Sequence, residues 1–138
     1  MKSKKLPDAA EMCKSLDSDR EAVIRDVLSR VTDKWSLWAL SELTSDGPLR
    51  FSRLLERVEG VSQKSLTATL RGLERDGLVR RTVTVQVPIR VDYEATPLGN
   101  ELISRFQPFW SWAVSRVAIF SVARANFDKA QEKSVAQE

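Results

Sequence analysis

Histidine is missing from the 138-residue chain, and cysteine occurs once, at Cys13. These absences exclude an intrachain disulfide, zinc-finger ligand sets, an imidazole general base and a Ser-His-Asp triad. Glycine and proline number five each, too few for a low-complexity or flexible repeat protein. Long apolar runs are lacking too. The most apolar stretch, residues 109–123, is interrupted by Arg116 and falls short of the roughly 20 residues a membrane helix needs. Lys2, Lys4 and Lys5 have no apolar run behind them, so neither a signal peptide nor a membrane anchor is expected, and the expected location is cytoplasmic. Neither a metal nor a cofactor is expected, and an enzyme is disfavoured.

What remains is an ordinary soluble composition, 42% hydrophobic and 30% charged, in a length that suits one domain with tails. The net charge is only +3, but it is unevenly placed. Between Arg50 and Arg90 nine basic residues stand against four acids, a local charge of +5 that leaves the rest of the chain at −2. Positive charge is therefore gathered in the middle third, as expected where the partner is an anion.

Periodicity divides the chain into elements. Residues 1–16 read as a flexible polar arm, and Ser18 with Glu21 forms a capping-box pattern that starts a first helix. Val23, Val27 and Val31, with Ile24 and Leu28 beside them, give that helix one apolar stripe. Asp33 is placed to cap a second helix carrying Trp35, Trp38, Ala39 and Leu43, which stops at Asp46-Gly47-Pro48. Leu49-Arg50-Phe51 reads as a short strand or lead-in to a third helix containing Leu54, Leu55 and Val58. Ser62 caps a fourth, with Leu66, Leu70 and Leu73 on one side and Lys64, Thr67, Arg71 and Arg75 on the other.

Beyond Leu78 the period changes to two. Val79, Val83, Val85 and Val87 alternate with polar residues as in a half-buried strand, and Val91, Tyr93 and Ala95 repeat the pattern. Pro88 separates the runs, which predicts a hairpin with its tip near residues 86–89. Thr96-Pro97 opens a last helical region, which Pro108 is expected to kink or divide near Phe106. After Phe127 the composition turns polar, so 17–127 reads as the domain and 128–138 as a fraying tail.

Helix, helix, short strand, helix, polar-faced helix and hairpin is the order of a winged helix-turn-helix: a mainly α fold with a small β-hairpin (α+β). A helix about 10 to 12 Å across can enter the major groove of B-form DNA. Ser62, Gln63, Lys64 and Thr67 lie at the N-terminal end of the fourth helix, where base edges are within reach. Gln63 offers a donor and an acceptor to adenine, and Lys64 donates to guanine. Arg71, Arg50 and Arg53 suit phosphates, as Arg80 and Arg81 do unless they pair with Glu74 or Asp76; Arg90 lies beside the wing tip, near the minor groove or backbone.

Several motifs in one order carry a resemblance. Lys34-Trp35, Gly47-Pro48-Leu49-Arg50-Phe51, Gly60-Val61-Ser62-Gln63-Lys64-Ser65-Leu66-Thr67, Leu70-Arg71-Gly72-Leu73-Glu74-Arg75-Asp76-Gly77-Leu78-Val79, Val87-Pro88-Ile89-Arg90-Val91-Asp92-Tyr93 and Thr96-Pro97-Leu98-Gly99 together resemble the HxlR family of MarR-like regulators. The resemblance spans roughly residues 22–113. It implies a homodimeric DNA-binding transcription regulator, often a repressor, that joins its first and last helices across the dimer and reads a near-palindromic operator. Val23 and Val27 on the first helix, with Phe106, Phe109, Trp110, Ala113 and Val117 on the last, are then interface residues; the C-terminal set is more apolar surface than one thin domain can hide. Many members carry a redox-sensing cysteine near the start of the first helix. That position here is Ala22; Cys13 lies nine residues earlier and is followed by Lys14, which can favour the thiolate, so Cys13 is the candidate redox sensor.

Blander readings stand beside these. The polar face of the fourth helix can be solvated surface, and a winged helix can serve as a protein-interaction module that binds no DNA. Trp35, Trp38, Trp110 and Trp112 read as core or dimer-interface residues rather than a ligand cage. A helix interface between the first helices and the C-terminal helix can still enclose a small effector, whose identity no residue names.

Overall fold

The computed structural model describes Lys14 and residues 16–137, which divide into two compact units, one ending at Asn100 and one beginning at Glu101. In chain order the elements are α1 (Ser18–Val31), α2 (Lys34–Asp46), β1 (Leu49–Arg50), α3 (Phe51–Arg57), α4 (Gln63–Arg75), β2 (Val79–Thr84), β3 (Arg90–Ala95), α5 (Pro97–Ser115) and α6 (Val117–Ala136). The three strands form one antiparallel sheet in the order β1-β3-β2. This is the expected mainly α fold with a small β-hairpin, the short lead-in at Leu49-Arg50 supplying the third strand.

Helical periodicity builds the core of the first unit. Ala39, Leu40 and Leu43 from α2, Leu54 from α3, and Leu66, Leu70 and Leu73 from α4 are all buried, with Val58, Leu78, Val79 and Tyr93 closing the cluster. Each fully buried Leu of this kind contributes about 1.5–3 kcal/mol relative to exposure. The sheet is attached by register: Leu49 lies opposite Tyr93, and Val79 opposite Ala95. Phe51, the first residue of α3, meets the Tyr93 ring at 6.4 Å between centroids. Arg57 of α3 also holds Asp46 and Glu42 of α2.

Boundaries follow local chemistry, with some corrections. The N-cap of α1 is Asp17 rather than Ser18; its carboxylate accepts from the Arg20 amide at 2.8 Å, one residue earlier than the capping-box reading places it. Asp33 is the N-cap of α2, but its side chain makes no capping bond. Gly47 ends α2 at φ 74° and Gly77 follows α4 at φ 75°, the left-handed region where glycine is unstrained. Thr96 ties the start of α5 down: its hydroxyl donates to the Gly77 carbonyl at 2.6 Å and accepts from the Gly99 amide at 3.1 Å.

The wing differs from its sequence reading. Strand β2 stops at Thr84, and of its residues only Val79 is buried. Val85 and Val87 lie in the loop 85–89, at 94% and 102% exposure. Alternation of valines continues past the point where the hairpin leaves the core, so the period persists without burial behind it.

The described C-terminal unit is helical throughout. Pro108 lies inside α5, which runs on to Ser115 instead of dividing near Phe106. Proline removes one donor from the ladder, and the turns on either side hold the helix together. The break falls at Arg116, with φ −108° and ψ 8°, whose amide bonds the Ala113 carbonyl at 3.1 Å in a tighter turn. Helix α6 continues to Ala136, through the segment expected to fray. Phe106, Phe109, Trp112 and Phe120 form a chain of ring contacts at 5.5, 6.0 and 6.1 Å.

Candidate nucleic-acid interface

Helix α4 is two-faced. Leu66, Leu70 and Leu73 point into the core, while Gln63, Lys64, Thr67, Arg71 and Arg75 are exposed. Its start is fixed by Ser62, whose hydroxyl accepts from the Ser65 amide at 3.0 Å and donates to the Ser65 hydroxyl at 2.9 Å. An N-cap of this kind satisfies a backbone donor that would otherwise be open and is worth about 1 kcal/mol. The Ser62 hydroxyl is thus already engaged. Thr67 likewise donates to the Gln63 carbonyl at 2.8 Å, so its hydroxyl is engaged by its own helix. Among the described residues no carboxylate pairs with Lys64, Arg71 or Arg75.

The other cations fall into two groups. Arg53 pairs with Glu56 at 3.5 Å on the surface, and Arg90 with Asp92 at 2.9 Å. Arg80 pairs across the hairpin with Glu94 at 3.1 Å, not with Glu74 or Asp76. Surface pairs of this sort are worth about 0–1 kcal/mol and yield readily to a phosphate. Arg50 and Arg81 are exposed and carry no ion pair among the described residues. The fold brings Gln63, Lys64 and Thr67 together on one helix turn and Arg90 to the wing.

Two features escaped sequence reading. Lys34 stacks on Trp35, its Nζ 4.4 Å from the ring centroid. Arg30, from α1, reaches Asp76 at the end of α4 at 2.7 Å. Neither has a sequence signal, because a stack and a pair across distant segments are products of the packed fold. Cys13 lies outside the described residues.

The expected interface residues are not in the core of the chain. Val23, Phe109, Trp110 and Val117 are exposed, and Val27, Phe106 and Ala113 are half-buried. Trp38, Trp110 and Trp112 are exposed as well, and Trp35 is half-buried, so no tryptophan belongs to the hydrophobic core. Separately, a cleft of about 470 Å³ opens along α1, the start of α2 and α4. Its lining, including Asp26, Arg30, Ser36, Thr69 and Arg75, is mostly polar. No described helix is long and apolar enough to cross a membrane.

Comparison with known proteins agrees with this geometry. The model of the HxlR-like helix-turn-helix family matches residues 30–118. The HTH-type transcriptional regulator YtfH of Escherichia coli is 38% identical over 88 residues, which are 64% of this chain and 69% of that protein. Among solved structures, the transcriptional regulator ytfH from Salmonella typhimurium superposes with a TM-score of 0.67 at 35% identity, covering 73% of this chain and 89% of that one. The redox regulator HypR in its reduced form gives a TM-score of 0.64 at 29% identity, covering 72% and 97%. An exposed, basic recognition helix beside a two-stranded wing, in a chain most of whose length matches that family model, makes the protein a DNA-binding transcription regulator, not an enzyme, and a member of the HxlR-like helix-turn-helix family.

Proposed function

We propose that this regulator is a cytoplasmic homodimer, acting as a repressor, that reads a near-palindromic operator with α4 in the major groove and the wing over the minor groove or backbone. The observation that carries the reading is the outer face of α4, where Gln63 and Lys64 are exposed and, among the described residues, without a side-chain partner, while the opposite face is locked into the core. Gln63 suits the adenine edge and Lys64 the guanine edge. Thr67 offers its methyl group to thymine. Ser62, Arg71, Arg50 and Arg53 face phosphates, Ser62 through the backbone at the helix start, and Arg90 exchanges Asp92 for the DNA at the wing.

Dimer formation covers Val23, Val27, Phe106, Phe109, Trp110, Ala113 and Val117. Exposed apolar surface on this scale marks an association site. An operator with two-fold symmetry then mirrors the protein. Relief by an oxidant or another small effector, with Cys13 as the responding thiol, is supported by the likeness to a redox regulator.

Selection of bound duplexes from a random pool, at two salt concentrations, tests the reading. The expected product is a two-fold motif with half-sites about one helical turn apart, weakened by Lys64→Ala and by Arg90→Ala. A folded dimer that enriches nothing and binds no duplex at low salt would instead be a protein-interaction module.

A further inference from the structure

The contact surface for DNA extends beyond α4 and the wing. Trp35, on the first turn of α2, lies under the turn that leads into α4: its Cη2 stands 3.7 Å from where a side-chain carbon on Gly60 would be. Gly60 has φ +87°, so the chain turns there in a conformation that favours glycine, and a side chain at this position would meet the indole at ordinary contact distance. Lys34 rides on the same indole, with its ammonium 4.4 Å from the ring centroid. The lysine is exposed and has no carboxylate partner among the described residues. A long flexible side chain is thus held next to the entrance of the recognition helix by a cation–π contact worth about 0.5–1 kcal/mol at an exposed site.

We infer that Lys34 is a further DNA contact, its ammonium binding one backbone phosphate on the flank of the groove that α4 enters, with Trp35 as its positioning residue. The inference rests on the DNA-binding reading of α4. A phosphate is the fitting occupant, because an ammonium is a compact point charge with no acceptor and reads no base pattern from that distance. The N-cap Asp33 keeps a carboxylate at this end of α2, so the ammonium makes the contact and the helix amides do not. Lys64, on the first turn of α4, is the base reader; Lys34 fixes the register in which it reads.

Counterion release separates this from a structural role. Binding of a generic duplex, followed by fluorescence anisotropy across a salt series, gives the slope of log Kd against log salt. Wild type and Lys34→Arg are expected to share one slope, and Lys34→Gln to lose about 0.9 from it, with a several-fold weaker affinity at low salt on random and selected duplexes alike. Thermal melting and tryptophan emission of Lys34→Gln report whether the fold is kept. A single methylphosphonate walked along the selected duplex should weaken wild type at one position per half-site where Lys34→Gln is indifferent. An unchanged slope in Lys34→Gln, or a lowered melting temperature with no change in slope, overturns the inference while leaving the α4 reading intact. Failure of wild type to bind any duplex overturns both.

Discussion

Arg30, at the end of α1, lies across Gly72 and meets the carboxylate of Asp76 at 2.7 Å, with side chains only 25% and 11% exposed. A side-chain carbon on Gly72 would stand 2.5 Å from Cδ of Arg30, so the glycine makes room for the arginine. The helix that carries Val23 and Val27 is thereby tied to the C-terminal end of the recognition helix. Removing either partner leaves a half-buried charge, and Arg30→Ala or Asp76→Ala should each cost about 1–2 kcal/mol, between the surface and fully buried limits. Urea unfolding of the two single variants and the double variant checks this. Full additivity in that cycle would show that the two groups do not interact.

Gly99 should tolerate nothing larger. An added Cβ would stand 2.2 Å from the Leu78 carbonyl oxygen and 3.1 Å from Cδ1 of Leu40, and backbone cannot step aside as a flexible side chain can. Gly99→Ala is expected to destabilise by about 3 kcal/mol, the upper range for overpacking. For Gly72→Ala the obstacle is the Arg30 side chain, which can shift at the expense of its pair with Asp76 where a backbone carbonyl cannot, so a smaller loss is expected. Thermal melting of the pair ranks them, and equal losses would contradict the packing described.

The wing tip should be silent in the folded chain by itself. Val85 and Val87 touch no core, and the double change Val85→Thr with Val87→Thr should alter unfolding free energy by less than about 0.5 kcal/mol. A larger loss in urea titration would mean that the loop is packed in solution.

Association is expected to fail when charge is placed on the exposed aromatic face. Trp110 is 62% exposed and Phe109 58%, so Trp110→Glu or Phe109→Glu removes little from the chain's own core. Light scattering should find a dimer for wild type and a folded monomer for either variant, with operator affinity falling sharply in the variants. A dimer that survives both changes would place the interface elsewhere.

Much of this arrangement is legible in the sequence because it depends on short-range period and punctuation. Leu66, Leu70 and Leu73 recur at helical spacing, Asp76-Gly77 ends the helix, and Thr96-Pro97 opens the next. Other features depend on where the core ends or on what packing brings together. Valine alternation cannot reveal that the hairpin leaves the core after Val79. Arg80 has two acids close by in sequence, yet pairs with Glu94 because the strand register sets them side by side. Pro108 signals a division that the flanking turns override, whereas Ser115-Arg116, where α5 does end, carries neither glycine nor proline. Of the candidate site, residue types on α4 and the capping of that helix by Ser62 were readable; the engagement of the Thr67 hydroxyl by the Gln63 carbonyl was not.

If the outer face of α4 reads base edges, as proposed, a specificity ratio reports it. Dissociation constants for the selected operator and for a scrambled duplex of equal length, taken at one near-physiological salt concentration, give that ratio for wild type and for Lys64→Ala. Wild type is expected to prefer its operator by roughly 10³-fold or more. Lys64→Ala should lose about 1–3 kcal/mol of that preference, chiefly at one base position per half-site. If the substitution weakened both duplexes equally and left the ratio unchanged, Lys64 would be a phosphate contact and the base-reading role of this face would be wrong.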